Sequence, residues 1–393
     1  MNKSGRLIVV KSVASAVPIY TLMANNLPAW AIDEIDAICR NFLWTGGEQS
    51  ARGKCSVAWP IVCRLKELGG LGIADLRLTG IALQSKWLWL QKTDQDRAWS
   101  SLDIKVSSDV HAFFAISVLA ILGNGMRIKF WEDNWMDGTS IQHLAPNLVR
   151  LVPAHFRANR TVAQALMEQR WTRDITNTLN PRAIQELDLI WDIVQGAVLQ
   201  DREDQFIWRW STNGQYSAQS AYRALQSGSI PIHGVNLIWN SWAPLKVKMF
   251  LWLAVHRRHW TAERRIRHGL QSHTNCLLCD QELETIEHIL VRCSYAQQIW
   301  WLILQHLGFV VLIPGNGSIQ EWWHQLRNQL LSHKRKGFDS LFALITWQLW
   351  KERNARLFRD AVSTPLQLLG RIKREGDDWI AAGAQKLGSL FCE

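Results

Sequence analysis

Apolar residues recur at helical spacing along most of the chain. Leu7, Val10, Ala14 and Val17 form one stripe that Pro18 ends, and Pro28 opens a second helix carrying Ile32, Ile35, Ile38 and Phe42 inward. A short strand at Ser56 to Trp59, a Gly69-Gly70 turn and a helix from Asp75 to Lys92 follow. Further on, Met126, Ile128 and Phe130 alternate with Arg127 and Lys129, the pattern of a strand. Phe206 to Trp210 and Gln215 to Ser217 flank an Asn213-Gly214 turn signal, which predicts a hairpin, with a short helix over Ala218 to Leu225 behind it. From Pro244 onward the pattern is helical. Leu245 to about Arg258, Ala262 to His268 behind a Thr261 cap, Ser294 to His306, and Phe338 to Arg359 each carry an apolar face. The fold expected is mainly α with short β-hairpins.

Composition narrows the functional classes. The 393 residues are 48% apolar, enough for hydrophobic cores, and the longest nearly apolar run, Ala112 to Leu122, is too short to span a membrane. An N-terminal signal peptide is disfavoured by Lys11 within the would-be apolar stretch and by Pro18. Seven cysteines are too few for a disulfide scaffold. Tryptophan dominates the aromatics, with 23 residues against 12 Phe and 4 Tyr, which predicts core filling with base stacking as the alternative beside basic residues. The net charge of +10 favours polyanionic partners, and its basic–acidic–basic alternation along the chain points to separate modules.

The most specific chemistry is Cys276-x2-Cys279, then His288, then Cys293. Two cysteines with two residues between them can reach one zinc ion from a tight turn, and an imidazole and a third thiolate complete a tetrahedron. Four protein ligands leave no open position for water, so one structural zinc is expected, worth an apparent ~10–16 kcal/mol to folding. His268 or His273 could replace His288 on spacing alone. A redox pair lacks its usual βαβ context, and buried core cysteines are the plain alternative. Cys39, Cys55 and Cys63 lack metal spacing and are expected in the core.

Upstream lies a basic block: Lys246, Lys248, Arg257, Arg258, Arg264, Arg265 and Arg267, interleaved with Trp252 and Trp260. It reads either as a solvated helical face or as phosphate contacts with Trp252 or Trp260 stacking on bases. Lys351-Glu352-Arg353 and Asp201-Arg202-Glu203-Asp204 are expected on solvated surfaces. Asp377-Asp378 is likewise expected to be charged helical surface. No phosphate-binding loop, zinc-protease helix or nucleophile elbow is present, and no catalytic residue is assigned.

Several runs resemble the region after the palm in plant LINE-type, non-LTR reverse transcriptases. They are Gly5 to Val13 with Pro18, Asn41-Phe-Leu-Trp44, Gly69-Gly-Leu-Gly-Ile73, Ala82-Leu-Gln-Ser-Lys-Trp-Leu-Trp89, Gly123-Asn-Gly125 and Phe130-Trp-Glu-Asp-Asn-Trp135. Trp208-Arg-Trp210, Gly214-Gln-Tyr-Ser217 and Ser220-Ala-Tyr222 resemble the start of that family's zinc-binding domain. Trp239 through Lys248 and the Cys276/Cys279/His288/Cys293 set resemble its centre, and Trp350-Lys-Glu-Arg-Asn354 the segment after it.

The resemblance implies a thumb-like helical module over 1–92, a connecting module over 93–205, a reverse-transcriptase zinc-binding domain over 206–310 and a C-terminal helical segment over 311–393. It also implies that fingers and palm, with the aspartates that hold catalytic magnesium, would lie before Met1, so this chain by itself should not polymerise. RNA or DNA, such as an RNA–DNA hybrid, is the partner implied, and so are upstream reverse-transcriptase domains. A membrane is not. Nuclear action follows from the family, with no targeting segment visible. The alternatives are part of an active RNA-directed DNA polymerase, or a domesticated relic without nucleic-acid binding.

Overall fold

The computed structural model describes residues 1–47, 55–94, 105–270, 273–309 and 317–391. Its elements are almost all helices, with one two-stranded antiparallel sheet among the described residues. No described helix is long and apolar enough to cross a membrane. Two compact units divide the chain: one takes Met1–Ala16, Glu34–Ala74 and Ser229–Glu393, the other Val17–Asp33 and Asp75–Gly228. Residues 206–228 of the expected zinc-binding segment therefore fold with the second unit, and the part from Ser229 onward with the first.

In the second unit, the helix Leu76–Thr93 starts where the Asp75 carboxylate accepts from Arg77 N–H and Leu78 N–H. It packs beside the helix Ala218–Gln226. Strand β1 (Val118–Ile121) pairs with β2 (Gln205–Trp208), placing Val118 opposite Trp208 and Ile121 opposite Gln205. The hairpin expected around Asn213-Gly214 is thereby corrected. The turn forms, with Trp208 N–H donating to Gly214 O at 2.8 Å, but the strand's partner lies some ninety residues earlier, and Gln215 to Ser217 is not a strand. Nor is Met126 to Phe130 a strand; it holds only an isolated bridge from Lys129 to Thr161.

The loop ahead of that bridge is organised by Asp204, which the sequence placed in an exposed turn. Its carboxylate is buried and accepts from four backbone N–H groups, those of Gly123 (2.8 Å), Gly125 (2.9 Å), Arg127 (2.8 Å) and Ile128 (3.3 Å). Such a carboxylate gathers donors that the irregular backbone could not otherwise satisfy away from water. Tryptophans fill the core, as their apolar area favours. Trp208 is enclosed by Trp89, Phe113 and Tyr216, while Trp131 and Trp171 sit edge to face at 6.2 Å.

The first unit is built on the 25-residue helix Arg335–Arg359. Its Phe342 stacks on Trp323 with ring centroids 4.3 Å apart and lies 5.0 Å from Trp300. The helix Pro365–Ala381 returns alongside it. Thr364 and Gln367 exchange capping hydrogen bonds at its start, Pro365 occupies the first turn, and Leu368, Ile372 and Trp379 are buried. Asp377 and Asp378 are exposed on it, as expected.

The helix Leu245–Val255 is a core element, with seven of its eleven residues buried. Trp252 is fully buried, and its Nε1 donates to Gly69 O at 2.8 Å. Gly69 sits at φ +93°, a conformation that L side chains rarely adopt, so the glycine pair is what presents that carbonyl. Three smaller expectations are corrected. Ser56 to Trp59 is a bend leading into the short helix Trp59–Val62, while Ile38 and Cys55 are exposed.

Candidate metal centre and basic face

Cys276 and Cys279 sit on a turn that backbone hydrogen bonds close on both sides. Cys276 N–H donates to Glu282 O, and Asp280 N–H donates to Cys276 O, each at 2.7 Å. Leu278 N–H points at Cys276 Sγ at 3.4 Å, a donor that favours thiolate. His288 opens a single wide helical turn, His288–Arg292, whose first N–H is taken by Thr285 Oγ1. That turn ends at Cys293 in an extended conformation, which brings the third cysteine back toward the knuckle.

One ligand atom from each of Cys276, Cys279, His288 and Cys293 lies within 4.8 Å of all the others. Cys276 Sγ and Cys293 Sγ are 3.9 Å apart, and Cys279 Sγ is 3.2 Å from His288 Nε2. Donors bound to one tetrahedral zinc at ~2.3 Å for sulfur and ~2.0 Å for nitrogen would be separated by about 3.5–3.8 Å. The donor set fits one zinc ion, as the spacing predicted. His268 and His273 are not in this group: His268 packs on Trp260, and His273 faces Asp280.

The electrostatics suit a cation. Cys276 is held down to about 4 by the hydrogen bond from Cys293, and by His288 and backbone N–H groups, against the opposing effect of burial. Burial lowers the His288 pKa, but the facing Cys276 and Cys279 outweigh it and lift it to about 9. His288 Nδ1 lies 3.0 Å from the Glu282 carboxylate. That contact fixes the ring so that Nε2 faces the thiolates, the arrangement by which a carboxylate orients a metal-binding imidazole.

Glu282 was not read from the sequence, although a carboxylate between the cysteine pair and the histidine is a recognisable candidate for that task. Arg356 was missed as well. Its Nη1 donates to the carbonyls of Leu277 and Leu278 at 3.0 and 3.1 Å, fastening the knuckle to the helix Arg335–Arg359. Three thiolates and a neutral imidazole around zinc would carry a net charge of −1.

Lys351-Glu352-Arg353 is corrected from a solvated face. Arg353 is buried, and so is Glu284, its ion-pair partner in the knuckle. Glu352 is buried too, accepting from Arg356, Arg371 and Ser363 N–H. Glu284 Oε1 also accepts from Ala262 N–H at 2.9 Å, so the helix Ala262–Arg267 is tied to the same point.

The basic block divides. Arg257 pairs with Glu287 and Arg267 with Glu263, and Lys248 donates to Trp239 O at 3.0 Å. Trp252, buried in the core, is removed from the candidate stackers. Lys246, Arg258, Arg264 and Arg265 make no ion pair among the described residues. Trp260 is 49% exposed, with the Arg264 guanidinium 4.6 Å from its ring centre.

Residues 216–300 match the family model described as zinc-binding in reverse transcriptase. Over 394 aligned residues the chain is 26% identical to an Arabidopsis thaliana protein named as a ribonuclease H protein. The alignment covers 91% of this chain and 61% of that relative.

Proposed function

We propose, from a chain that carries a reverse-transcriptase zinc-binding segment at residues 216–300, that it binds nucleic acid without base sequence preference and performs no catalytic step of its own. The observation that carries this reading is a set of cations that make no ion pair among the described residues. Lys246, Arg258, Arg264 and Arg265 stand without carboxylate partners among the described residues, while the acidic groups Glu263, Glu284 and Glu287 are each engaged elsewhere. Cations held on anchored elements are suited to displacing counterions from phosphates.

Bound zinc would supply a cross-link between the knuckle, the His288 turn and Cys293. Cys276, Cys279, His288 and Cys293 would hold it and fill its coordination, so the ion has a structural task. Glu282 orients the imidazole, and Arg356 and Arg353 fix the knuckle to the long helix. The name of the Arabidopsis relative makes an RNA–DNA hybrid the first polyanion to try.

The test is a titration of the zinc-loaded chain with a fluorescent RNA–DNA hybrid at several salt concentrations. Affinity should fall with salt at a slope of about −0.9 per phosphate contact, and Arg258→Glu with Arg265→Glu should weaken binding and flatten that slope. Absence of binding at low salt would leave a folded zinc module without this partner. Primer extension or hybrid cleavage by the chain alone would overturn the non-catalytic reading.

A further inference from the structure

In the first unit, an open cavity of about 400 Å³ lies between the basic block and the last turns of the helix Arg335–Arg359. That is within the ~300–1,000 Å³ of small-ligand clefts. His259 and Trp350, whose rings are 4.7 Å apart, are among the residues that line it. Its lining also includes Trp260 and Phe358, the latter 75% exposed.

Lys3, Arg258 and Arg265 supply positive charge, and none of them makes an ion pair among the described residues. Burial pulls the Lys3 amine below its usual range, and Arg6 and Arg264 add to the effect. No carboxylate is among the described residues that line the cavity. An anion entering it would meet Lys3, Arg258 and Arg265 with no carboxylate in the lining to compete for them.

Asn354 gives the cavity a direction. Its Oδ1 accepts from Arg353 Nη1 at 3.1 Å, and Arg353 is itself held by Glu284. A guanidinium can only donate, so the amide must turn its oxygen to it. The Nδ2 donor has no partner among the described residues, and it can meet an acceptor on a base edge.

We propose that this cavity takes one unstacked nucleotide of a single strand, with the base against Trp260 and Phe358, its acceptor edge toward Asn354, and its phosphate among Lys3, Arg258 and Arg265. This rests on the nucleic-acid reading above and adds to it a preference for a single-stranded end over a duplex. Exposed aromatic rings flanked by cations are the combination that holds single strands without reading sequence.

The experiment uses the zinc-loaded full chain and a short single-stranded oligonucleotide with 2-aminopurine at its end. Binding should quench the probe, and an otherwise identical oligonucleotide with an abasic end should compete about 5- to 100-fold less well. Trp260→Ala should lose a similar factor and Trp260→Phe much less, with zinc content unchanged in both. Asn354→Leu should weaken binding of the normal oligonucleotide and not of the abasic one.

Equal competition by the abasic oligonucleotide would overturn the cavity assignment, and it needs no altered protein. If Arg258→Glu and Arg265→Glu still weakened binding in that case, phosphate contact would stand and only the nucleotide cavity would fall. If those reversals also had no effect, both readings would fall together.

Discussion

Arg353 lays two guanidinium nitrogens on the Glu284 carboxylate, Nε to Oε2 at 3.0 Å and Nη2 to Oε1 at 2.5 Å. Both side chains are almost fully buried, at 3% and 1% exposure. The pair joins the long helix to the zinc knuckle, and Ala262 N–H extends it to the helix that carries Arg264 and Arg265.

Removing one partner would leave the other charge buried and uncompensated. Arg353→Met or Glu284→Gln should each cost about 3–5 kcal/mol in urea denaturation of the zinc-loaded chain, and replacing both with apolar residues should recover much of that loss. A single variant with unchanged stability would show that the pair is not closed in solution.

Glu282 touches no metal, yet it sets the orientation of His288. Glu282→Ala should lower zinc affinity about 10- to 100-fold in a chelator competition while leaving one zinc per chain at saturation. Cys279→Ser, which removes a ligand, should destabilise the chain far more severely. Zinc retention unaffected by Cys279→Ser would sink the ligand assignment.

Burial holds His259 down to about 4, its hydrogen bond to Phe250 O opposing and the charges of Lys3, Arg264 and Arg353 assisting the shift. An unfolded histidine titrates near ~6.5, so between those values the unfolded chain binds the extra proton. The His259 contribution should thus be complete above about pH 6.5 and be lost as pH falls toward 4, with a slope of at most about 1.4 kcal/mol per pH unit. Denaturation midpoints at pH 7, 5.5 and 4.5, compared between the natural chain and His259→Phe, would reveal it. Parallel pH profiles in the two proteins would refute it.

Asp204→Ala should loosen the second unit, because the N–H groups of Gly123, Gly125, Arg127 and Ile128 would lose their shared acceptor. Each buried donor left unpaired costs about 1–3 kcal/mol where water cannot reach it. Hydrogen exchange at those four amides should speed up in the variant, and unchanged protection would show another acceptor taking over.

The cysteine and histidine spacing was legible in the sequence because metal ligands impose a local distance rule. The helix Arg335–Arg359 was legible through its apolar stripe, and the core tryptophans through their sheer area. What escaped were partners far apart in sequence. An Asn213-Gly214 turn announces a hairpin, yet nothing near Phe206 reveals that Val118 to Ile121 is its true neighbour. Arg353 and Asp204 were misplaced because a charged residue is ordinarily solvated, and only its counterpart explains its burial. The register did hold a clue: Leu349, Arg353 and Arg356 follow one another at four and three residues, on a single helical face.

That register has one more consequence. Arg353 and Arg356 hold the knuckle, while Asn354 and Phe358, on the same two turns, line the cavity. Each residue of an α-helix rotates the next by about 100°. A single insertion between Leu349 and Arg353 would swing all four side chains off their targets at once. Along this stretch a change of length would do more harm than most changes of residue, and the knuckle and the cavity would be lost in the same event.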